Sequence, residues 1–287
     1  MPTAHATRAL LALNVAVFFV QVAGSVERGG LADFSVDQLL SLGASYPPAT
    51  IGEHRWETLV TASFLHAGIP HVTFTILALW QVGPLVERVL GPARMTFAYL
   101  ISGIVGHLTS VGQAMVMRTA GIGYGASGAI SGVVAAALVL ALRTHGRGAP
   151  LVHRLARWLG LVVVVGLLMS LGAGRDDEPA QVAGVIAGAI AGWLANPHRA
   201  PSPRASAAIF AACAGVLVAS IGALGWRDRT DRFAPMSLEE RSDFTMDAIA
   251  EGRCRDAKDG LAAVDRLRGW AAPVTSLRTH VEAMCGR

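Results

Sequence analysis

The chain has 287 residues, 53% of them hydrophobic and 15% charged, with 32 glycines, a mean hydropathy of +0.48 and a formal net charge of +4. Soluble domains carry about 25% charged residues, so the composition excludes an ordinary soluble globule and points to lipid. The basic excess requires no nucleic-acid partner: the arginines cluster between apolar runs, where they serve as topology signals and contacts for anionic lipid, and no basic groove interleaved with aromatics accompanies them.

Seven apolar runs follow in chain order, at 9–26, 72–90, 95–111, 127–142, 158–173, 181–196 and 206–226. Several are long enough to cross about 30 Å of hydrocarbon, and the second and sixth are expected to be partly buried in protein. The first, ALLALNVAVFFVQVAG, lacks the strongly basic flank and cleavage site of a signal peptide and reads as a helix of the mature protein. If seven helices alternate, Arg8, Arg88 with Arg94, the Arg143–Arg157 loop, and Arg199 with Arg204 share one side, while the acidic RDDEP at 175–179 falls on the other. Short arginine-rich loops stay cytoplasmic. The N-terminus is therefore expected inside and the C-terminus outside a plasma (inner) membrane.

After Trp226 the character changes. Residues 227–287 carry eleven Arg or Lys and eleven Asp or Glu, with amphipathic patterns at 237–251, 256–270 and 275–284 and Pro273 between the last two. The expected organisation is an all-α polytopic membrane protein: a six-helix membrane domain over 1–200, a seventh transmembrane helix over 201–228, and a charged helical tail over 229–287 on the outer face. Cys254 and Cys285 lie in that tail, where an oxidising compartment permits a disulfide but two free thiols fit as well. Cys213 falls within the seventh run and reads as packing.

The chemistry-bearing residues gather at one level. FLHAGIPHVTFT precedes and opens the second helix: His71 and Thr75 are four apart on one face, and His66 stands one loop earlier. GIGYGASGAISG places Ser127, flanked by Gly125 and Gly128, where a glycine-rich loop meets the fourth helix. A serine there can be a helix cap, a small residue at a crossing, or a nucleophile. Gly128 and Gly132 lie four apart on one face of the fourth helix, Gly184, Gly188 and Gly192 form a matching stripe on the sixth, and faces without side chains allow close backbone approach. If they pack, Ser127 faces Gln181. His107 reads as a structural partner in the bundle, and His145, His153 and His198 fall in cytoplasmic loops. Asp176, Asp177 and Glu178 read as a solvated turn. The H-x4-H spacing is not that of a zinc helix, and no phosphate-binding glycine loop is present. No metal, small-molecule cofactor or nucleic acid is expected.

Five segments, HRWETLVTASFLHAGIPHV, GPLVERVLGPARM, YLISGIVGHL, GYGASGAISG and PAQVAGVIAGAIAGW, resemble in order and spacing the rhomboid family of intramembrane serine proteases, over residues 5–197. A lone GxSG would carry little weight. The resemblance implies a six-helix fold that cuts peptide bonds in or beside transmembrane segments entering laterally from the lipid. It makes Ser127 the nucleophile and assigns its backbone N–H and His71 to the oxyanion hole. Trp56 falls in the family's first outer loop, Glu87 in its turn after the second helix, and His66, Gly125, Gly128, Gly184 and Gly188 in supporting positions.

Three positions depart from the family pattern. Gln181 stands where the family carries its histidine base, Thr75 where an asparagine usually serves the oxyanion hole, and Ser131 where an aromatic ring commonly stacks on that histidine. A serine hydroxyl needs an adjacent base, and a carboxamide has no proton equilibrium near neutral pH. Loss of a triad member lowers acceleration by on the order of 10⁴ or more. The expected function is thus a pseudoprotease that binds or routes transmembrane clients. The alternatives are an active protease with a non-standard base, and a structural scaffold docking through its tail.

Overall fold

The computed structural model describes residues 4–25, 34–117, 121–172, 178–267 and 275–286. Among them are twelve α-helices: α1 (His5–Ser25), α2 (Val36–Ser41), α3 (Thr58–Thr61), α4 (Ile69–Leu90), α5 (Pro92–Met117), α6 (Ser127–His145), α7 (Pro150–Gly172), α8 (Glu178–Leu194), α9 (Pro203–Thr230), α10 (Leu238–Ala250), α11 (Cys254–Asp265) and α12 (Thr275–Cys285). Each of the seven apolar runs contains a helix. Six helices (α1, α4, α5, α6, α7 and α9) are long and apolar enough to cross a membrane. The sixth run falls short: α8 has 17 residues, about 25 Å at 1.5 Å per residue.

The centre of the bundle is α6. Its apolar stretch is 67% buried, against 22% for that of α7 and 11% for that of α9. The sequence accounts for this, because from Ser127 to Leu142 it carries small and aliphatic residues all round and no charge, the pattern of a helix enclosed by others. Leu79, Val82, Met95, Tyr99, Ile130 and Val134 form the core around it, none more than fractionally exposed. Against α6 lies α8, through the glycine stripes. A Cβ on Gly184 would fall 2.4 Å from the Gly128 carbonyl oxygen, one on Gly188 2.0 Å from that of Gly132, and one on Gly192 2.3 Å from that of Ala136. These backbones touch with no room for a methyl group.

Glu87, near the end of α4, holds the start of α1. Its carboxylate accepts from the Ala6 N–H (3.0 Å), the Thr7 N–H (2.9 Å) and the Thr7 hydroxyl (2.7 Å), satisfying first-turn donors that α1 cannot pair internally. Charge-assisted bonds of this kind are the stronger ones. Glu87→Ala is expected to lower stability by about 3 kcal/mol, with Glu87→Gln in between, as read from thermal unfolding of the purified protein.

The connection from α1 to α4 folds over one end of the bundle. Phe34, Leu39, Leu40, Tyr46, Leu65 and Tyr124 make a second small core beneath it, and Ser45 pairs antiparallel with Gly123. The charged tail docks on this connection. Arg241, fully buried, grips Glu53 through both terminal nitrogens (2.6 and 3.0 Å) and also donates to the Ala263 carbonyl. Arg227, at the end of α9, donates to the carbonyls of Glu53 and His54, and Arg55 donates to that of Ala234.

The tail folds as a helical module. A Ser237–Glu240 capping box starts α10, and Ala248, Ala257, Val264, Leu277 and Val281 pack α10–α12 together. Cys254 and Cys285 are joined in a disulfide 31 residues apart, and Cys213 is free and buried. Pro273 and residues 175–177 of the acidic turn lie outside the described residues. Closing a loop of this length is worth about 3–4 kcal/mol. Reduction is therefore expected to speed hydrogen exchange in α12 while leaving α6 and α8 protected; unchanged exchange in α12 would contradict that.

Candidate functional site

The site is assembled from three helix beginnings at the end of the bundle covered by the α1–α4 connection. Helix α6 starts at Ser127 itself. Its N-cap is Ala126, with no side-chain cap bond, and among the described residues nothing hydrogen-bonds the Ser127 hydroxyl. The capping reading of Ser127 is thereby set aside. The glycine on the crossing is its neighbour: a Cβ on Gly128 would lie 3.0 Å from the Ala180 carbonyl oxygen and 3.9 Å from the Gln181 Cα. Ser127 itself is partly exposed.

His71 approaches from the first turn of α4. A Cβ on Gly125 would sit 2.8 Å from its Cε1 and 3.1 Å from its Nε2, and Gly125 has φ +118°. Glycine is required twice over at this position, by the left-handed backbone and by the ring against it. Gly125 N–H donates to the Ala62 carbonyl (2.8 Å), which ties the serine-bearing loop to the α1–α4 connection. The Ala67 N–H donates to His71 Nδ1 (3.2 Å). A neutral imidazole that accepts at Nδ1 carries its proton on Nε2 and so presents a donor there.

His66 is completely buried, with neither ring nitrogen hydrogen-bonded. Its ring lies 5.4 Å from that of His71, edge to face. Burial, with the nearby His71 ring adding to it, pushes the pKa of the His66 imidazole down to about 3, so it stays neutral at physiological pH. Gln21 clamps its backbone, accepting the His66 N–H (3.0 Å) and donating to the His66 carbonyl (2.9 Å). Thr75, one turn beyond His71, is 1% exposed.

Gln181 comes from the first turn of α8 and is 2% exposed. Its backbone lies beside Gly128, as the paired stripes require, but its side chain turns to other partners. Nε2 donates to the Ser131 hydroxyl (3.2 Å) and to the Val162 carbonyl (3.1 Å), and the amide rests against Gly166 of α7, where a Cβ would meet Nε2 at 2.3 Å. The amide therefore bonds to Ser131, one turn along α6, and makes no bond to Ser127. Ser131, fully buried, is the residue that gives the amide a place.

Sequence reasoning missed Gly166 and Val162. The lone glycine in the valine-rich LVVVVGLLM was a legible sign of close approach; a main-chain carbonyl leaves no such sign. His107, in α5, pairs with the Ser45 hydroxyl at 3.5 Å, in keeping with a structural role. Trp56 is 48% exposed and stacks on His54.

A bundle of this kind, with a partly exposed serine at the start of its central helix, an imidazole against the loop before it and a buried amide from a third helix bonded one turn further along, defines a multi-pass α-helical membrane protein with polar groups gathered near one end. A family model described as the Rhomboid domain matches residues 53–198. The chain is 32% identical over 189 residues to Rhomboid protease GluP of Bacillus subtilis (66% of this chain, 34% of that protein). It is 28% identical over 216 residues to Rhomboid protease AarA of Providencia stuartii (67% and 74%), and 30% over 157 residues to RHOMBOID-like protein 1 of Arabidopsis thaliana (54% and 39%). It spans a third of the first relative's length and about three quarters of the second's. The chain belongs to the rhomboid family.

Proposed function

We propose that this rhomboid is a pseudoprotease, which admits transmembrane segments of client proteins sideways from the lipid and holds or routes them without efficient cleavage. One observation carries the reading: at the position of the family's base stands an amide, bonded to Ser131 and Val162, while the Ser127 hydroxyl has no hydrogen-bond partner among the described residues. A general base must reach the proton it removes and have a pKa near the operating pH. Gln181 meets neither condition. The departures at 131 and 181 are hydrogen-bonded to each other, so they read as one change, in which a proton relay becomes a polar contact between helices.

The oxyanion side of the site is partly retained. His71, accepting at Nδ1 and pressed against Gly125, offers an Nε2 donor against the loop that leads into Ser127, and Thr75 contributes a hydroxyl where an amide would reach further. Client entry is assigned to the α4–α7 side, because α7 packs along α6 and only lightly against α4.

Orientation is part of the proposal. The disulfide-closed tail docks at the Ser127 end through Arg241 and Glu53, and disulfides persist in oxidising compartments. The arginine-rich turns gather at the opposite end, as the positive-inside rule requires of the cytoplasmic face. Together these favour a plasma (inner) membrane protein with its site and C-terminus outside, a six-helix domain over 1–200, α9 as a seventh span, and the tail as an outer module.

A second reading, an active protease with His71 as base, draws on the closeness of that ring to the serine-bearing loop. The Ala67 bond opposes it, since it leaves Nε2 a donor rather than an acceptor. The two readings separate on purified protein treated with a fluorophosphonate and a helical client. The expected result is no Ser127-dependent labelling or cleavage, with photo-crosslinkers beside Ser127 capturing transmembrane proteins in native membranes. Cleavage that Ser127→Ala abolishes would reverse the assignment.

A further inference from the structure

The end of the bundle opposite Ser127 holds a cavity of about 860 Å³. It lies where the end of α4, the start of α5, the end of α6, the start of α7 and the 197–201 turn meet. Arg88, Arg94, Arg199, His145 and His198 line it, with no carboxylate among its lining residues. Glu87, next to Arg88 in sequence, is turned away to the start of α1. Among the described residues Arg88, Arg94 and Arg199 form no ion pair. Helix α5 opens onto the cavity at Pro92, adding the positive end of its dipole.

This basic surface is arranged rather than scattered. Arg94 donates to the carbonyls of Asn196 (3.2 Å) and Arg199 (2.6 Å), which fixes the turn and keeps Arg199 at the rim. Arg143, by contrast, is occupied elsewhere: it donates to the Trp193 and Ala195 carbonyls at the end of α8 and lies over the Trp193 ring. The remaining wall is apolar, from Leu85, Val89, Leu140 and Leu151. A cavity with a cationic mouth, an apolar wall and no acidic group fits an amphiphile whose polar part is an anion.

We propose that this cavity binds a phosphate-bearing anion, and that its apolar wall selects the headgroup and upper acyl region of an anionic phospholipid over free phosphate. Basic pockets between transmembrane helices take such headgroups, and several arginines at one mouth add to the attraction. The site lies at the far end of the bundle from Ser127 and stands whether or not the protein cuts peptides.

The test uses the full chain, delipidated in detergent, with lipid retention read by native mass spectrometry and stability by thermal unfolding. Phosphatidylglycerol is expected to bind at least about tenfold more tightly than phosphatidylcholine. Arg88→Gln with Arg199→Gln should abolish that preference without changing the lipid-free melting temperature, since both side chains are exposed. Arg147→Gln with Arg154→Gln, at the same end but outside the cavity, should keep it. Equal binding of the two lipids, or a preference that survives the Arg88/Arg199 change, overturns the proposal. Inorganic phosphate matching the lipid's stabilisation overturns the lipid assignment and gives the cavity to the free ion.

Discussion

Gln181→His is expected to confer Ser127-dependent fluorophosphonate labelling that the wild-type chain lacks, with a rise in rate of about 10²–10⁴-fold, the range supplied by a positioned general base. The backbone at 181 already lies beside Gly128, so an imidazole there starts within reach of the serine. An imidazole whose Nδ1–H takes over the bond to Ser131 leaves Nε2 as an acceptor, which is what a serine proton requires. Peptide cleavage should lag behind labelling, because Thr75 still stands at the proposed oxyanion position. Adding Thr75→Asn is expected to restore up to the 10²–10³-fold that one such donor is worth. Gln181→His combined with Ser127→Ala should be silent. Labelling of that double variant, or of wild type to the same extent as Gln181→His, would show that the amide is not what limits this site.

The second large effect is structural. Gly188→Val is expected to prevent folding of the bundle, because its Cβ would fall 2.0 Å from the Gly132 carbonyl oxygen and 2.5 Å from the Gly132 Cα. Neither neighbour is a side chain that can rotate aside, so the cost lies at or above the top of the roughly 1–3 kcal/mol range for overpacking. Gly112→Ala, in α5 with nothing within 4 Å of its Cβ, is the matched control and should be neutral or stabilising by up to about 1 kcal/mol. Size-exclusion behaviour and thermal unfolding in detergent report both. Wild-type melting of Gly188→Val would mean that α6 and α8 do not meet along these glycines.

Much of this was legible before any coordinates. The apolar runs located every long helix, because burial in lipid constrains composition all along a helix. The chief boundary error was α7, which starts at Pro150, eight residues before its apolar run, since its first turns carry Arg154 and Arg157 at the bundle's edge. The pairing of α6 with α8 could be read from two stripes of glycine at four-residue spacing. The α1–α4 connection was opaque: α2, α3 and the bridge between Ser45 and Gly123 are short pieces held by tertiary contacts, and short segments leave no periodicity to detect.

What the linear order of residues determined by itself is what single positions can and cannot supply: an amide at 181 cannot take a proton near neutral pH in any conformation, and a glycine at 188 imposes no side chain on its neighbour. What only the tertiary structure decided is where the groups that are present direct their bonds. Gln181 turns to Ser131 and Val162 because of how α6, α7 and α8 are rotated about their axes. Arg241 finds Glu53 across 188 residues, and that distance along the chain is closed by the docking of a folded tail. Propensity and periodicity act over a few residues, whereas rotamers and ion-pair partners are chosen by whatever the fold brings near.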